Sequence, residues 1–589
     1  MDLRSIPMAR IALGFGQGVA LFALYQSFDH RLWPATNAYV FIPLVLLAVF
    51  LPLVALIGIG NIRAVLLGRW LGCVAVLGAA LGGYVAYTYG LEPQTPEQFY
   101  SWAITSAAHM LTFTLAVGLL IGHTLVTAAS AEGKRIASYR TYYDLAWKHG
   151  VQVAATVAFC IVFWLLLFLG AQLFELIHIA LFKKIIQKPW FGIPATTSVA
   201  ALALHVTDIR PNIIAGIRIL ALTLLSYLLP LLAGIVGLFL ISLPFTGLEG
   251  LWATKFATGL LLAAAAALIG LINTVFQDGD QAQTAPRVLR AALALAALEL
   301  TPLVLIAGYG LGLRVNAYGW THDRIVAAAC IFVAAGFAGG YAWSMARRNF
   351  LVMERVNIAM AFVVPAVLIA LFSPLFDPTR ISVSSQMARL KAGLITAGEL
   401  DLVYLRFQGG RYGVNVLHEL QAGTVLEKPE ADRLTALLQM NWNQWQRAPK
   451  PSTVSVADIP VIPTGRSLPE SFVAQNWNLP AAPGAFGLPS CMTVKTELCH
   501  ATLIDLDGDG IEEVIFIPER LGMGAYVFKQ SPEAKWGLVG LLESRINCPD
   551  MRVSIEQGQM KAIPPDQSDL EIGGHRLRMR IVEPSEKCP

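Results

Sequence analysis

The feature that most constrains the fold of this chain is a series of long apolar segments that almost lack charge. Residues 40–60 (VFIPLVLLAVFLPLVALIGIG) contain no charged side chain, and residues 151–178 contain a single acidic one. An α-helix of about 20 apolar residues matches the hydrocarbon thickness of a bilayer, at 1.5 Å of rise per residue. The core of a large soluble protein would not require so many segments of this length. The sequence therefore predicts an α-helical polytopic membrane protein.

Charged residues are distributed unevenly, and the chain after Phe376 has the composition of a soluble protein. Over the whole chain 56% of residues are hydrophobic and 14% are charged, against about 25% charged in soluble domains. We therefore predict a transmembrane domain over residues 1–376 and a C-terminal soluble α+β domain after it. The soluble part divides into a helical periplasmic segment (377–450), a Pro-rich connector (451–489) and a β-rich periplasmic module (490–589).

The apolar segments predict about 11 transmembrane helices. The sixth segment is short and carries His205, so an interfacial or re-entrant helix is the alternative for it. The predicted spans are 7–27, 39–60, 68–89, 103–127, 151–176, 190–207, 214–242, 253–275, 289–312, 324–346 and 356–376.

The basic residues of the loops predict the orientation, because short cytoplasmic loops are enriched in Lys and Arg. Arg4 and Arg10 place the N-terminus in the cytoplasm. The basic loops at 130–150 and 347–355 are also cytoplasmic by this rule, so an even number of crossings separates them and segment 190–207 must span. Three lysines then lie outside and break the rule (Lys183, Lys184 and Lys188). The predicted location is the bacterial inner membrane, with the C-terminal domain in the periplasm.

Cysteine placement agrees with an oxidising compartment for the tail. Four of the seven cysteines lie in the predicted soluble part: Cys491, Cys499, Cys548 and Cys588. An even number in one extracytoplasmic domain indicates two disulfides. Proximity in sequence favours the pairs Cys491–Cys499 and Cys548–Cys588, although four cysteines allow three connectivities. Four reduced thiols in a cytosolic tail are the alternative.

An Asp-rich loop is the most specific motif of the tail. Residues 505–513 (DLDGDGIEE) precede the predicted strand VIFI. Alternating carboxylates direct several hard oxygen ligands at one cation, as in strand-flanked calcium loops of extracellular modules. The predicted role of the calcium is structural, and an Asp/Gly hairpin without metal is the alternative. The candidate ligands are Asp505, Asp507, Asp509, the carbonyl oxygen of Ile511, and Glu513.

Ionisable residues within the predicted spans are candidate functional groups, because a charge at bilayer depth is costly. Glu299 lies ten residues into the ninth span and is followed by Pro302, which kinks a helix. A buried structural pair, with Arg218 as partner, and a substrate or proton site are both open for it. For Arg218 the alternative is a side chain that extends to the cytoplasmic interface, and for His109 it is hydrogen-bonded packing.

Four segments resemble a known family. They are LRSIPMARIALGFGQGVALFALY at the N-terminus, LPFTGLEGLWAT at 243–254, LINTVFQDG at 271–279 and YLRFQGGRYG at 404–413. The chain resembles bacterial proteins of the domain-of-unknown-function 4153 family, which are predicted inner-membrane proteins. The resemblance implies membrane placement and carries no activity with it.

Three classes of function fit these observations. The first is a cell-envelope scaffold, assembly or sensing component with a calcium-stabilised periplasmic domain, whose partners are membrane lipid and an envelope protein. The second is a transporter or channel that uses Glu299, and the third is a membrane-embedded transferase for a lipid-linked substrate. No GxxxxGK[ST], HExxH or GxSxG motif is present, so enzymatic activity is left open. The net charge of +4 and the lack of a basic cluster in the tail exclude nucleic acid as a partner.

Overall fold

A computed structural model gives the fold of the chain. It describes residues 6–90, 102–209, 211–248, 251, 256–279, 284–347, 350–423 and 428–440, and, between 456 and 577, all residues except 464, 476, 478–487, 493–498, 519–524, 533, 543–556, 558, 560, 564–569 and 573–574. The chain divides into two compact units, Met1–Gln439 and Met440–Pro589.

The first unit is helical and has the character of a multi-pass membrane protein. Ten of its described helical segments are long and apolar enough to cross a membrane, with α8 and α9 together forming one of them. A helix satisfies its backbone polar groups internally, which hydrocarbon demands. The helices are α1 (Ile6–Asp29), α2 (Ala38–Gly58), α3 (Ala64–Tyr89), α4 (Trp102–Glu132), α5 (Tyr139–Leu176), α6 (Leu181–Ile186), α7 (Pro189–Asp208), α8 (Pro211–Ser226), α9 (Leu228–Thr246), α10 (Ala257–Phe276), α11 (Arg287–Tyr318), α12 (His322–Arg347) and α13 (Phe350–Leu371).

Helix α7 corresponds to the short sixth predicted span, and it packs antiparallel against α1. Gly14 and Gly18 of α1 form a GxxxG pattern at the contact, where small residues allow close approach of two helix backbones. A Cβ atom at Gly14 would lie 2.4 Å from the Cβ of Ala201, and one at Gly18 would lie 2.4 Å from the Cα of Pro194. The side chain of Arg10 meets Asp208 at the other end of the pair. Helix α7 therefore covers much of the length of α1.

Contacts at the helix ends support a crossing by α7. Tyr84, at the end of α3, donates a hydrogen bond to Asp377, which follows α13, so α3 and α13 end at one face of the bundle. We call this the Asp377 face and the opposite one, where α1 begins, the Arg10 face. Between the two ends lie seven crossing segments without α7 and eight with it. Only the even number returns the chain to the same face. Helix α7 is not among the ten candidate spans, so the count is roughly consistent with the prediction of about 11 helices.

The core of the first unit lies around α11. Its largest cluster of buried apolar side chains joins α9, α10, α11 and α12, and a second cluster joins α2, α3 and α4. Fully buried members of the first cluster include Phe276, Leu268 and Tyr341. By contrast, α5 exposes a long series of apolar side chains after residue 153, as expected for a helix that faces lipid.

A short helical segment follows the last membrane helix and belongs to the first unit. It contains α14 (Pro378–Lys391), α15 (Leu402–Phe407), α16 (Gly410–Ala422) and α17 (Lys428–Gln439). Helix α14 begins at the N-cap Asp377, whose carboxylate accepts from the Thr379 amide at 2.8 Å. The sequence analysis assigned this segment to the soluble part, but it packs against the ends of α3 and α12. The difference arises because its polar composition does not reveal what its buried face contacts.

The second unit contains a four-stranded antiparallel meander in the order β1-β2-β3-β4. The strands are β1 (Cys499–Ile504), β2 (Glu513–Pro518), β3 (Ala525–Gln530) and β4 (Trp536–Leu542), and a separate hairpin joins β5 (Leu570–Ile572) to β6 (His575–Leu577). The predicted strands at 514–517 and 525–529 are β2 and β3. The strand predicted at 576–583 begins in β6, and its remainder lies outside the described residues.

The predicted Pro-rich connector contributes to the core of the second unit. Phe472, in the short helix α18 (Glu470–Val473), is fully buried and its ring contacts Trp477, Phe516 and Phe528. The described part of residues 456–477 is therefore packed structure, because its few apolar residues reach the same core as the strands. The proline-rich sequence of this stretch did not indicate that it is packed into a core.

One of the two predicted disulfides is present. Cys491 and Cys499 are bonded, and both are buried beside the first strand. Cys548 and Cys588 lie outside the described residues. Cys73 and Cys330, in membrane helices, are free and exposed at the surface of their helices.

Candidate functional site

A cavity of about 750 Å³ lies within the first unit, near the Asp377 face. Its volume is in the range of small-molecule sites, about 300–1,000 Å³. The walls come from α3, α4, α10, α12 and α13 and are almost entirely apolar, with Met110, Phe113, Leu262, Val326, Val333 and Leu368 among them. An apolar chamber between membrane helices is the environment that a hydrocarbon chain requires.

One end of the cavity is polar, and we call this end the roof. It combines the last turns of α3 and the first turns of α12 with the extramembrane helices α14 and α15. The lining residues of the roof are Tyr84, Thr88, Tyr89, Ser106, His322, Asp323, Asp377, Thr379, Tyr404 and Gln408. The cavity is therefore amphipathic, with a long apolar body and one polar end.

Asp377 organises the roof. One carboxylate oxygen caps α14, and the other accepts from the Tyr84 hydroxyl at 2.7 Å. The Tyr84 hydroxyl also lies 3.1 Å from that of Tyr412, and the Tyr89 hydroxyl hydrogen-bonds to Thr379. Asp377 is 4% exposed. This network holds the extramembrane helices against α3.

Thr88 presents an unpartnered hydroxyl at the roof. The residue is 1% exposed, and its Oγ1 atom has no hydrogen-bond partner among the described residues. Other helical threonines here, such as Thr112 and Thr124, donate to the carbonyl oxygen four residues earlier, the usual solution for a hydroxyl in an apolar helix. A buried hydroxyl without a partner costs about 1–3 kcal/mol, and the packing around this one leaves it out of reach of a molecule in the cavity.

The charges of the roof are acidic. Asp323 and Asp377 supply two carboxyl groups, and His322 stands beside them. No Lys or Arg lines the described cavity. The nearby guanidinium group of Arg324 is directed to the Gly319 carbonyl oxygen at 2.5 Å. No hydrogen bond or ion pair reaches the Asp323 side chain from the described residues, so this carboxyl group is available to a ligand.

The segment YLRFQGGRYG at 404–413 forms the joint between the roof and α3. Gly410 has φ +52°, and a Cβ there would lie 2.7 Å from the Thr88 carbonyl oxygen. Arg411 stacks its guanidinium group 4.3 Å above the Tyr87 ring and donates to the Tyr87 carbonyl oxygen. The segment thus supplies Tyr404 and Gln408 to the cavity and fixes them on the membrane helices.

The Asp-rich loop joins β1 to β2 in the second unit. Carboxylate oxygens of Asp505, Asp507 and Glu513 lie within 4.8 Å of one another. The Nζ atom of Lys529 lies among these groups: it contacts Asp507 and is 2.6 Å from Asp509 and 3.3 Å from Glu513. A lysine supplied by β3 thus offsets part of the negative charge of the loop, and the sequence did not indicate this contact. Asp505 accepts from the amides of Gly508 and Gly510, which shapes the turn.

The charges in this loop perturb one another. Hydrogen bonds donated to Asp507 and Asp509 raise the pKa of Lys529 above its usual value. The hydrogen bond from Lys529 lowers the pKa of the Asp509 carboxyl group. Both directions favour the charged forms of Lys529 and Asp509.

Glu299 is buried in the first unit, but it does not line the cavity. It is 6% exposed, and neither carboxyl oxygen has a hydrogen-bond partner among the described residues. A Cβ atom at Gly237 of α9 would lie 2.5 Å from Glu299 Oε1. The suggested pairing with Arg218 is not formed, because Arg218 binds Asp144 at 2.6 Å and stacks on Tyr143. His109 is exposed on α4.

A buried polar cluster at the Arg10 face was not predicted. The Arg10 side chain, 2% exposed, donates to Asp208 at 2.7 Å and to the Ile59 carbonyl oxygen. Lys148 also binds Asp208, at 2.8 Å, so one carboxylate serves two cations. In the sequence, Arg10 served only as one of the basic residues that orient the N-terminus. Nothing in the sequence indicated that its side chain is buried against Asp208. This cluster joins the ends of α1, α5 and α7.

Comparison with protein families identifies the chain. The family model described as "Domain of unknown function (DUF4153)" matches residues 53–420, which is well over half of the sequence. The chain belongs to the DUF4153 family. All residues that line the cavity of this DUF4153 protein lie within the matched range, whereas the Asp-rich loop lies outside it. No curated protein and no solved structure matches the chain.

Proposed function

We propose that this DUF4153 protein binds a membrane lipid in the cavity of its first unit and senses it through the extramembrane helices. The observation that carries the proposal is that a single cavity combines walls from membrane helices with a roof from α14 and α15. An apolar body with one polar end fits an amphiphile, whose chain lies in the walls and whose headgroup lies at the roof. In the proposed orientation the roof faces the periplasm of a bacterial inner membrane.

Sensing follows from how the roof is held. The roof is fastened to α3 by hydroxyl contacts that surround Asp377, among them Tyr84 and Tyr412. A headgroup at the roof competes for these hydroxyl groups and adds a contact to the exposed Gln408. Occupancy therefore changes how firmly the extramembrane helices dock, and a ligand shifts a conformational equilibrium by its difference in affinity for the two states. Such a protein acts as a sensing or assembly component of the envelope.

A cavity-filling substitution tests the lipid site. Ala266 of α10 lines the cavity, whereas its neighbour Ala267 is exposed and does not. We expect native mass spectrometry of the full chain, extracted gently from membranes, to show a retained lipid. Ala266→Phe should lose that lipid, and the matched control Ala267→Phe should keep it. Equal retention by both variants, or no retained lipid in the wild-type protein, contradicts the proposal.

We propose, as a separate role for the second unit, that calcium binds at the Asp-rich loop and stabilises it. Oxygens bound to one cation at 2.3–2.6 Å are at most about 4.6–5.2 Å apart, and those of Asp505, Asp507 and Glu513 lie within 4.8 Å of one another. Asp505, Asp507 and Glu513 would hold the ion, and it would offset most of their negative charge. The ammonium group of Lys529 competes for the same place, so it must move outward for calcium to bind.

This competition gives a sharp test. In the full chain, millimolar calcium should slow amide exchange in the peptides that contain β1 and β2, and Asp507→Ala should abolish the effect. Lys529→Met removes the competing cation, so it should lower the calcium concentration for half-protection from the expected range of about 10⁻⁴–10⁻³ M. Exchange that is identical with calcium and with chelator, in both the wild-type protein and Lys529→Met, would show that the loop is only a turn.

A further inference from the structure

We infer that the lipid headgroup recognised at the roof donates hydrogen bonds and carries no net negative charge, as an ammonium group or a set of sugar hydroxyl groups does. This inference rests on the proposed lipid site and names its ligand class. It follows from which polar groups the roof offers and from which it lacks.

Charge excludes an anionic headgroup. Two carboxyl groups, of Asp323 and Asp377, face the cavity, and no Lys or Arg lines the described part of it. The guanidinium group of Arg324 lies outside this lining, where it donates to the Gly319 carbonyl oxygen and also interacts with the Asp323 carboxylate through its charge. Phosphate and carboxylate recognition relies on Arg or Lys. A negatively charged headgroup would therefore meet two carboxyl groups without an Arg or Lys of the described lining to bind it.

Hydrogen-bonding capacity favours donors. The amides of α14 and the Tyr84 hydroxyl already occupy three acceptor positions of Asp377. Asp323 is exposed to the cavity with acceptor positions open. These open acceptor positions match an incoming N–H or O–H group.

A protection assay with Cys330 tests the inference in the full chain. Cys330 is free, exposed and lines the cavity, whereas Cys73 is free and exposed on α3 outside it. Lipids with identical acyl chains are added to the protein in detergent, and alkylation of both thiols is followed by peptide mass spectrometry. Four headgroups are compared: phosphatidylethanolamine, monoglucosyl diacylglycerol, phosphatidylcholine and phosphatidylglycerol. The reactivity of Cys73 controls for coating by lipid.

We expect a neutral lipid with a hydrogen-bond donor in its headgroup to protect Cys330 at about one-tenth of the concentration that phosphatidylcholine requires. This tenfold difference is about what one hydrogen bond to a charged group contributes to affinity. Protection by the ethanolamine lipid, by the glucosyl lipid or by both supports the inference and identifies the donor. Asp323→Asn should remove most of the preference, and Asp432→Asn, an exposed residue of α17 outside the cavity, should keep it.

The outcomes separate the two proposals. If no lipid protects Cys330 more than Cys73, the lipid site itself is rejected. If all four lipids protect equally, or phosphatidylglycerol protects best, a lipid site exists and the headgroup inference is rejected. If the preference persists unchanged in Asp323→Asn, the roof carboxyl group is not the acceptor and the inference is also rejected.

Discussion

At the scale of single residues, some charged groups in this protein each bind more than one partner of opposite charge. Lys529 meets three carboxyl groups in the second unit, and Asp208 meets two cations in the first. Neither partner set is local in sequence: Lys529 is 20 residues from Asp509, and Asp208 is 198 from Arg10. The sequence indicated the acidic loop because its carboxylates are adjacent. It did not indicate the lysine or the buried cluster, because strand pairing and helix packing create them.

The charged loop predicts a defined pH window for the β1–β2 hairpin. Because the pKa of Asp509 is lowered in the folded protein, its contribution is present above the usual value of about 4 and is lost as the pH falls through the lowered pKa. Because the pKa of Lys529 is raised, its contribution is present below about 10.4 and is lost as the pH rises through the raised pKa. Amide exchange of residues 505–512, corrected for intrinsic rates, should therefore accelerate at both extremes. A rate that stays unchanged as the pH passes below the lowered pKa of Asp509 and above the raised pKa of Lys529 contradicts this.

The buried cluster predicts a large cost for removing its single carboxylate. Asp208→Asn leaves Arg10 and Lys148 close together without a counter-charge, so we expect a loss of about 3–5 kcal/mol of stability. Glu175→Gln breaks the exposed pair with Lys183 and should cost about 0–1 kcal/mol. Thermal unfolding in detergent measures both. Similar melting temperatures for the two variants would show that the cluster is not held by charge.

At the scale of elements, the sequence predicts the membrane helices well. The mean hydropathy of about 20 residues identifies a membrane helix even where single residues in it are polar. For the less apolar α7, which is not among the ten candidate spans, the charge rule predicts a crossing, and this stays a prediction. The cavity was not predictable, because its lining comes from helices far apart in sequence and consists mostly of ordinary apolar residues. The segment 404–413 was recognised as family-like, yet only the fold shows that Gly410 seats it against α3. Strand β4 was missed because Gly537 and Gly540 interrupt its apolar pattern.

The joint at Gly410 predicts how the roof is released. Gly410→Ala places a methyl group 2.7 Å from the Thr88 carbonyl oxygen and strains a backbone at φ +52°. The roof helices should separate from α3, and proteolysis within residues 378–422 should accelerate. Gly393→Ala is the matched control, since Gly393 also has positive φ (+69°) but nothing lies within 4 Å. Equal proteolysis of the two variants would mean that the close approach does not fix the joint.

The contact between α9 and α11 predicts coupling between Gly237 and Glu299. Gly237→Ala should cost about 1–3 kcal/mol, because the new methyl group overlaps the carboxyl group. In a Glu299→Ala background the same change should cost much less. Gly234→Ala, where nothing lies within 4 Å, should be neutral or stabilising. Purely additive effects on the melting temperature would contradict the contact.

At the scale of the whole molecule, an odd number of crossings predicts that the two ends of the membrane unit lie on opposite sides. A phosphatase reporter after Pro589 should be active in the periplasm, and one at the junction of α12 and α13 should be silent. Thiol labelling of single cysteines at Ser138 and Thr396 checks the same prediction without a fusion. Labelling of both positions from the same side contradicts the crossing by α7.

The junction of α3 with α14 also has a consequence for biogenesis. Tyr84 and Asp377 are 293 residues apart, and translation proceeds at about 5–20 residues per second. The end of α3 therefore waits roughly 15–60 s after its own synthesis before the ribosome delivers its partner. During this interval the cavity lacks most of its walls as well as its roof, because α10, α12 and α13 follow α3 in the chain. Assembly of the membrane unit is completed by its last helices, so chains that terminate before Asp377 should be inserted into the bilayer yet be early targets of quality-control proteases.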